Sequence, residues 1–200
     1  MTCIGICGRI SSIAATAALT ACAVGTAFVR PPEGYVHLGE TTRAQIVERF
    51  GKPDEDEPRR INDQSLRVIS YTYSSNAEAP KVPNTLCVRT IEFTLSGDIV
   101  VEEGFASACA SDHTDFNDHR AREIVVDKTR CDQVIAMLGR PASRAVYPIA
   151  REKGELFMAY RFMYPKRPLL QLNIYQKVLA IRCGADGLVL EMEFMESGEP

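Results

Sequence analysis

Residues 45–54, "QIVERFGKPD", return 88 positions later as residues 133–142, "QVIAMLGRPA". Aligned at that offset, Thr41, Gln45, Ile46, Val47, Phe50, Gly51, Lys52 and Pro53 face Thr129, Gln133, Val134, Ile135, Leu138, Gly139, Arg140 and Pro141. Four of these pairs are identical and four are chemically close. The echo continues downstream at slightly wider offsets. "ISYTY" (69–73) faces "MAYRF" (158–162), and Gly97 with Ile99 faces Gly187 with Val189. A period this long points to duplication of a small domain rather than to a solenoid of short repeats.

Each copy has a physical reading. Thr41 and Thr129 are natural N-caps, because a threonine hydroxyl can accept from an orphan amide of a helix's first turn. Apolar positions 46, 47 and 50 in the first copy, and 131, 134, 135 and 138 in the second, form one stripe at helical spacing. Gly51 and Gly139 then stop the helix, and Pro53 and Pro141 prevent its continuation. The stripe needs a flat partner. "SLRVISYTY" and "LFMAYRFMY" are rich in β-branched and aromatic residues, and "CVRTIEFTL" alternates, with Ile91, Phe93 and Leu95 opposite Thr90, Glu92 and Thr94. The turn signal "SGD" leads into "IVVEEGF". In the second half "QKVLAIRC", "GADG" and "LVLEMEF" match these pieces, with Leu188, Leu190, Met192 and Phe194 on one face. The expected fold class is therefore α+β: two tandem units, each one or two short helices packed on a three-stranded antiparallel sheet. Whether the two units share a sheet is left open.

With 46% hydrophobic residues in 200, the chain can bury a substantial core. Its 23 basic and 26 acidic residues, without a long basic run, leave no footprint for nucleic acid. Residues 10–29, "ISSIAATAALTACAVGTAFV", carry no charge and read as an export signal. Their length also suits a membrane span of about 20 residues, but Ala, Thr and Ser dominate rather than Leu and Phe. Within the run, "LTAC" (19–22) resembles the lipobox of bacterial lipoproteins, which makes Cys22 the expected acylated residue. The alternatives are an A-x-A cleavage site around Cys22 or a retained anchor. All three place the chain outside the cytoplasm. The expected organisation is a lipoprotein signal peptide (1–22), a flexible tether (23–36), a first repeat (37–109), an acidic linker (110–122) and a second repeat (123–198).

Four cysteines remain in the body, and an even number in an exported chain suggests disulfides. Pairing within each half joins Cys87 to Cys109 and Cys131 to Cys183; four buried free thiols are the alternative. No CxxC spacing points to zinc.

The phrase "GETTRAQIVERFGKP" resembles the G-M-T-x-x-x-V-x-x-x-L-G-x-P signature of the SmpA/OmlA (BamE-like) family of outer-membrane lipoproteins. Gly39, Thr41, Val47, Gly51 and Pro53 stand at or near signature positions, with Glu40 for the usual Met and Phe50 for the usual Leu. The second copy keeps Thr129, Gly139 and Pro141 but has Asp127-Lys128 in place of Gly-Met. The resemblance implies a lipid-anchored, periplasm-facing outer-membrane protein that works as an interaction or scaffold module in barrel-protein assembly or envelope integrity, with the barrel-assembly machinery or another envelope protein as its partner. Ala23 after the anchor, rather than Asp, resembles outer-membrane sorting. The architecture is also similar to secreted β-lactamase inhibitor proteins, which implies the alternative of binding or inhibiting a periplasmic enzyme.

Tyr71 and Tyr73, and Tyr160, Phe162 and Tyr164, recur at period two and so share a strand face. Exposed, they would form an interaction surface. Turned toward the helices they are core, which is the commoner fate of apolar strand residues. The chain lacks Trp, a frequent anchor of binding hot spots. In "SDHTDFNDHR" (111–120), Asp112, His113, Asp115, Asp118 and His119 could ligate a metal, but no EF-hand or HExxH spacing is present, and a solvated connector is expected. "DEDE" (54–57) with Pro58, Arg59 and Arg60 reads as a solvated loop with local charge compensation. With no GxSxG, no P-loop and three His in all, neither an enzyme nor a cofactor is indicated.

Overall fold

A computed structural model describes residues 23–166 and 173–198; the leader, and Cys22 with it, lies outside them. In chain order the elements are β1 (Ala23–Val24), α1 (Arg43–Phe50), β2 (Glu55–Ile61), β3 (Gln64–Ser75), β4 (Cys87–Ser96), β5 (Ile99–Ser107), α2 (Asp118–Ala121), α3 (Cys131–Leu138), β6 (Ser143–Ala145), β7 (Leu156–Lys166), β8 (Asn173–Cys183) and β9 (Val189–Ser197). All nine strands join one antiparallel sheet. β1 and β2 flank one edge of β3, and β4 to β9 follow in sequence order.

This overturns the α+β expectation of helices packed on separate three-stranded sheets. The molecule is dominated by a single nine-stranded sheet, and its described helices are short pieces of eight, four and eight residues. Two strands escaped the sequence reading for definite reasons. β2 is "EDEPRRI", charged and proline-bearing because it lies at an edge where its side chains meet solvent. The turn that joins it to β3 is Asn62-Asp63, both at positive φ (48° and 59°), as a two-residue hairpin requires. β6 has only three residues, too few to show a pattern. It nevertheless pairs with β5 on one side and β7 on the other, making the halves continuous.

The duplicated phrase acts as scaffold. Ile46 lies at the centre of one buried cluster with Ile69, Tyr71, Ile91 and Phe93, and Val134 at the centre of another with Met158, Tyr160, Leu179 and Ile181. The helix after each Thr does not start where expected. Thr42 and Arg130 hold the N-cap positions, and the side-chain carbonyls of Gln45 and Gln133 accept from their amides at 2.8 and 2.9 Å. Thr41 and Thr129 instead close the preceding turn, accepting from the amides of His37 and Val125, each at 2.9 Å. Both helices end at a glycine with positive φ, Gly51 (81°) and Gly139 (83°). The hydroxyls of Tyr71 and Tyr160 donate to those glycine carbonyls at 3.0 and 2.9 Å, tying each phrase to the central strand beneath it.

The structure also corrects the downstream alignment. Thr42 bridges Ile99 and Arg130 bridges Leu188, while the amides of Val100 and Val189 donate to Thr41 and Thr129. Ile99 therefore matches Leu188, and Val100 matches Val189. A bulge follows at equivalent points in both halves, between Thr94 and Leu95 and between Arg182 and Cys183. It shifts the face of β9, so the buried Val189 lies in the cluster against which the half-buried Met192 and Phe194 pack, and the expected single face of Leu188, Leu190, Met192 and Phe194 is not formed.

Neither connector is loose. Residues 23–36, expected as a flexible tether, form a strap. Ala23 and Val24 pair with Ser75 and Ser74, Phe28 meets Phe50 edge-on at 6.1 Å, and Val36 is buried. Further along, Arg30 donates to the carbonyl of Pro141, and Arg140 donates to that of Pro31. Beneath this exchange the buried carboxylate of Glu103 pairs with Arg140 at 3.1 Å and Arg144 at 3.2 Å, and the Arg30 guanidinium lies over Phe105. Burial, and then the neighbouring Arg140, lower the Arg30 pKa to about 10. The strap thus locks onto the seam between the halves.

The acidic linker is pinned as well. Asp112 pairs with Arg89 at 2.7 Å, and Asp115 and Asp118 pair with the buried Lys177 at 2.9 and 3.6 Å. Lys177 also donates to the carbonyl of Phe116, which anchors the linker on β8.

Candidate functional site

The structure joins Cys87 to Cys109 and Cys131 to Cys183. The second bond ties the first residue of α3 to the end of β8. Glu78 lies beside Cys87 and Cys109. Both sulfurs are committed to the disulfide, and Glu78 is held by Arg89 through two hydrogen bonds of 2.7 and 3.2 Å, so the cluster offers no free ligand set. Of the linker's potential ligands, the carboxylates are drawn into separate ion pairs at Arg89 and Lys177 rather than gathered at one point.

The aromatic residues considered as an interaction surface do not form one. Tyr71, Tyr73, Tyr160, Phe162 and Tyr164 are all buried, on the face that the helices and the linker cover. Period two told that each set shares a face but not which side the helices take. Burial raises the pKa of the Tyr71 and Tyr160 hydroxyls, which stay protonated as donors to the glycine carbonyls.

The opposite face is free of helices, and its register defines a site that crosses both halves. One row of laterally paired residues runs Ser70, Glu92, Gly104, Ser143, Ala159, Ala180, Glu193. The neighbouring row contributes Thr90, Ala106, Arg161, Val178 and Met195. Side chains in the middle of the first row are small, so the backbone lies close to the surface there, while the second row carries Arg161 at its middle. Together they floor an open trough of about 420 Å³, with Phe157, Met163 and Met195 as larger apolar residues along it. Met195 is 50% exposed.

Charge lies both on this floor and around it. Glu102 is held at the seam by hydroxyl donors, Thr94 at 2.7 Å and Ser143 at 3.0 Å. Glu92 and Arg161 belong to the two floor rows and line the trough. At its far end the β2–β3 hairpin reaches across: the Asn62 side chain donates to the carbonyls of Pro148 and Ile149 at 2.9 and 3.2 Å. Arg182 there joins Glu155 at 2.7 Å and Glu191 at 3.1 Å, and its guanidinium is made more basic by the Glu155 hydrogen bond first. The geometry is a shallow recess in which a row of small residues is flanked by apolar and charged side chains. The sequence held one signal for it. In "LFMAYRFMY" the apolar residues do not alternate with polar ones, so β7 has an apolar character on both faces.

The sequence matches no protein-family model and no curated protein, so the SmpA/OmlA resemblance rests on the residues quoted for it. Among solved structures the chain is similar to a proposed β-lactamase inhibitor protein from Streptococcus mutans. The two are 14% identical over 78% of this chain and 82% of that one, with a TM-score of 0.44. A likeness at this level carries no inference about fold or function.

Proposed function

We propose that this protein is a non-enzymatic interaction module of the cell envelope, held to a membrane through Cys22, that receives a protein partner in the trough on the helix-free face of its sheet. The observation that supports this most is the row from Glu92 to Glu193, in which four successive strands present Gly104, Ser143, Ala159 and Ala180. A half-exposed sheet face usually carries polar residues of ordinary size. Small side chains over so wide a span instead let a partner's surface approach the backbone.

No described helix is long and apolar enough to cross a membrane. Attachment in this reading is lipidic, and processing at a lipobox adds more than one acyl chain, which stable anchoring requires. The resemblance to SmpA/OmlA proteins nominates barrel-assembly subunits as the partner. An envelope enzyme is the other candidate.

Photocrosslinking in intact envelopes tests both parts. A photoreactive residue replacing Ala159 or Val178 should yield a discrete adduct that mass spectrometry identifies, while one replacing Val126 on another surface should not. Equal adducts from all three positions, or none from the trough, would overturn the proposal. Palmitate labelling should be lost in Cys22→Ala.

A further inference from the structure

β9 ends the sheet and is bonded along one side only, to β8. On its outer side Val189 is occupied: its amide donates to the carbonyl of Thr129 and its carbonyl accepts from Asp127. Beyond that point, among the described residues, no backbone group bonds to Leu190–Ser197 from outside. The first half shows what such an edge takes. Val100 matches Val189 and both strands carry the bulge, so Val101 to Phe105 of β5 match Leu190 to Phe194 of β9. On β5 this stretch is filled by β6, where Glu102, Glu103 and Gly104 pair antiparallel with Ala145, Arg144 and Ser143. The carbonyl of Val101 also accepts from Val146 at 2.9 Å, and the amide of Phe105 donates to Ala142 at 2.7 Å. On β9 the equivalent carbonyl of Leu190 and amide of Phe194 have no backbone partner among the described residues, so the ladder that β5 completes stands open.

The repeat supplies one ready strand for this edge. Glu55, Asp56, Glu57 and Pro58 of β2 stand where Ser143, Arg144, Ala145 and Val146 stand in and after β6, and β2 pairs with β3 as β6 pairs with β7. β2 is bonded to β3 alone, so head-to-tail stacking would lay its open side on the β9 of a neighbouring copy. In the register of β6, Glu55 would then face Glu193 and Glu57 would face Glu191, and like charges directly opposite destabilise a strand pair. Pro58 also lacks the amide that Val146 gives to Val101. Self-assembly along this edge is opposed twice, by charge and by backbone.

The same carboxylates favour a partner of opposite charge. Glu191 is held by Arg182 at 3.1 Å and Arg151 at 3.5 Å, whereas Glu193 is exposed and has no ion pair among the described residues. On the other face of β9, Met192 and Phe194 pack against the helix-side core, and the Arg122 guanidinium stands over the Phe194 ring at 5.6 Å. A cation is already present on that face and is missing beside Glu193.

We propose that the outer edge of β9 from Leu190 to Phe194 receives an extended segment of another protein as an added antiparallel strand, with a lysine or arginine opposite Glu193 and an apolar residue opposite Met192. Main-chain bonds supply the attachment, and the alternation of basic and apolar side chains supplies the selectivity. The edge adjoins the trough but does not depend on it, because a strand held here bonds to backbone at the sheet's rim rather than resting on its face.

Two measurements on the full chain test this. The first uses a peptide of about seven residues that alternates lysine and valine, with a glutamate–valine peptide as control. Amide hydrogen exchange at Met192 and Phe194 should slow about tenfold with the lysine peptide and stay unchanged with the glutamate peptide. Glu193→Lys should interchange the two results. The second restores self-pairing: Glu55→Lys, Glu57→Lys and Pro58→Val together should turn a chain that sediments as a monomer into head-to-tail oligomers, and adding Glu193→Lys should dissolve them. Equal slowing with both peptides, slowing with neither, or a triple variant that stays folded and monomeric would overturn the inference. A lysine peptide that shifts the signals of Ala159 and Val178 yet leaves the β9 amides unprotected has entered the trough; the inference then fails while the trough reading stands. Protection that rises with concentration of the unsubstituted chain alone would make a second copy the occupant and overturn it as well.

Discussion

Tyr71 and Tyr160 perform one task in the two halves, each donating from a central strand to the carbonyl of the helix-ending glycine. Both were visible in the alignment as a matched pair, yet their role was not, since a sequence does not say where a hydroxyl ends. Tyr160→Phe and Tyr71→Phe should each lower stability by about 1 kcal/mol, the usual net worth of one hydrogen bond, as read by denaturant unfolding. A loss near zero would mean that the phrase is held by packing alone. The threonines teach the converse. Thr41 and Thr129 read as helix N-caps in the sequence, but the cap they supply belongs to the turn before the helix, because the next residue takes the N-cap geometry. At Arg89 the chemistry is acid-sensitive. Glu78 is held below its ordinary value near 4.5, first because it accepts from Arg89 and then from Tyr73. The folded state thus binds that proton less readily than the unfolded chain. The stabilisation is complete above about 4.5 and is lost as pH falls through the lowered value. Melting temperature followed from neutral to acidic pH should show this decline, and Arg89→Gln, already less stable at neutral pH, should show a shallower one.

Among elements, those with a strong period were legible and those at edges or seams were not. β4 and β8 alternate between more and less buried positions, and β3 and β7 are long β-branched and aromatic runs, so all four advertise themselves. β2 was hidden by its charges, although Asn62-Asp63 could have been read as a hairpin turn. The linker looked solvated because its carboxylates are numerous, and nothing in the sequence pairs Asp115 with a lysine some sixty residues on. The disulfides make a quantitative prediction at this scale. Cys131 and Cys183 are 52 residues apart and Cys87 and Cys109 are 22 apart, so loop entropy assigns about 4 and about 3 kcal/mol to them. Replacing Cys131 and Cys183 by Ser should therefore destabilise more than replacing Cys87 and Cys109. Calorimetry showing the opposite order would indicate that Arg89 and its partners depend on the shorter bridge.

At the scale of the whole molecule, duplication was legible and its consequence was not. Two copies of one unit could stand apart as beads. Three residues, Ser143 to Ala145, decide otherwise by pairing on both sides. Glu103 with Arg140 and Arg144 then clamps the seam on the helix side, while Glu102 with Thr94 and Ser143 orders it on the other. The continuous sheet turns two unremarkable outer faces into one trough, and this surface exists only because the halves are joined. The most direct measurement of that claim places a photoreactive residue at Met195, on the trough's exposed side, in chains with and without Ala159→Arg. Ala159 is only half-buried on an open floor, so the variant should keep its melting temperature while the arginine blocks the trough. The predicted result is a discrete envelope-protein adduct that disappears in Ala159→Arg. An undiminished adduct from the folded variant would contradict the account.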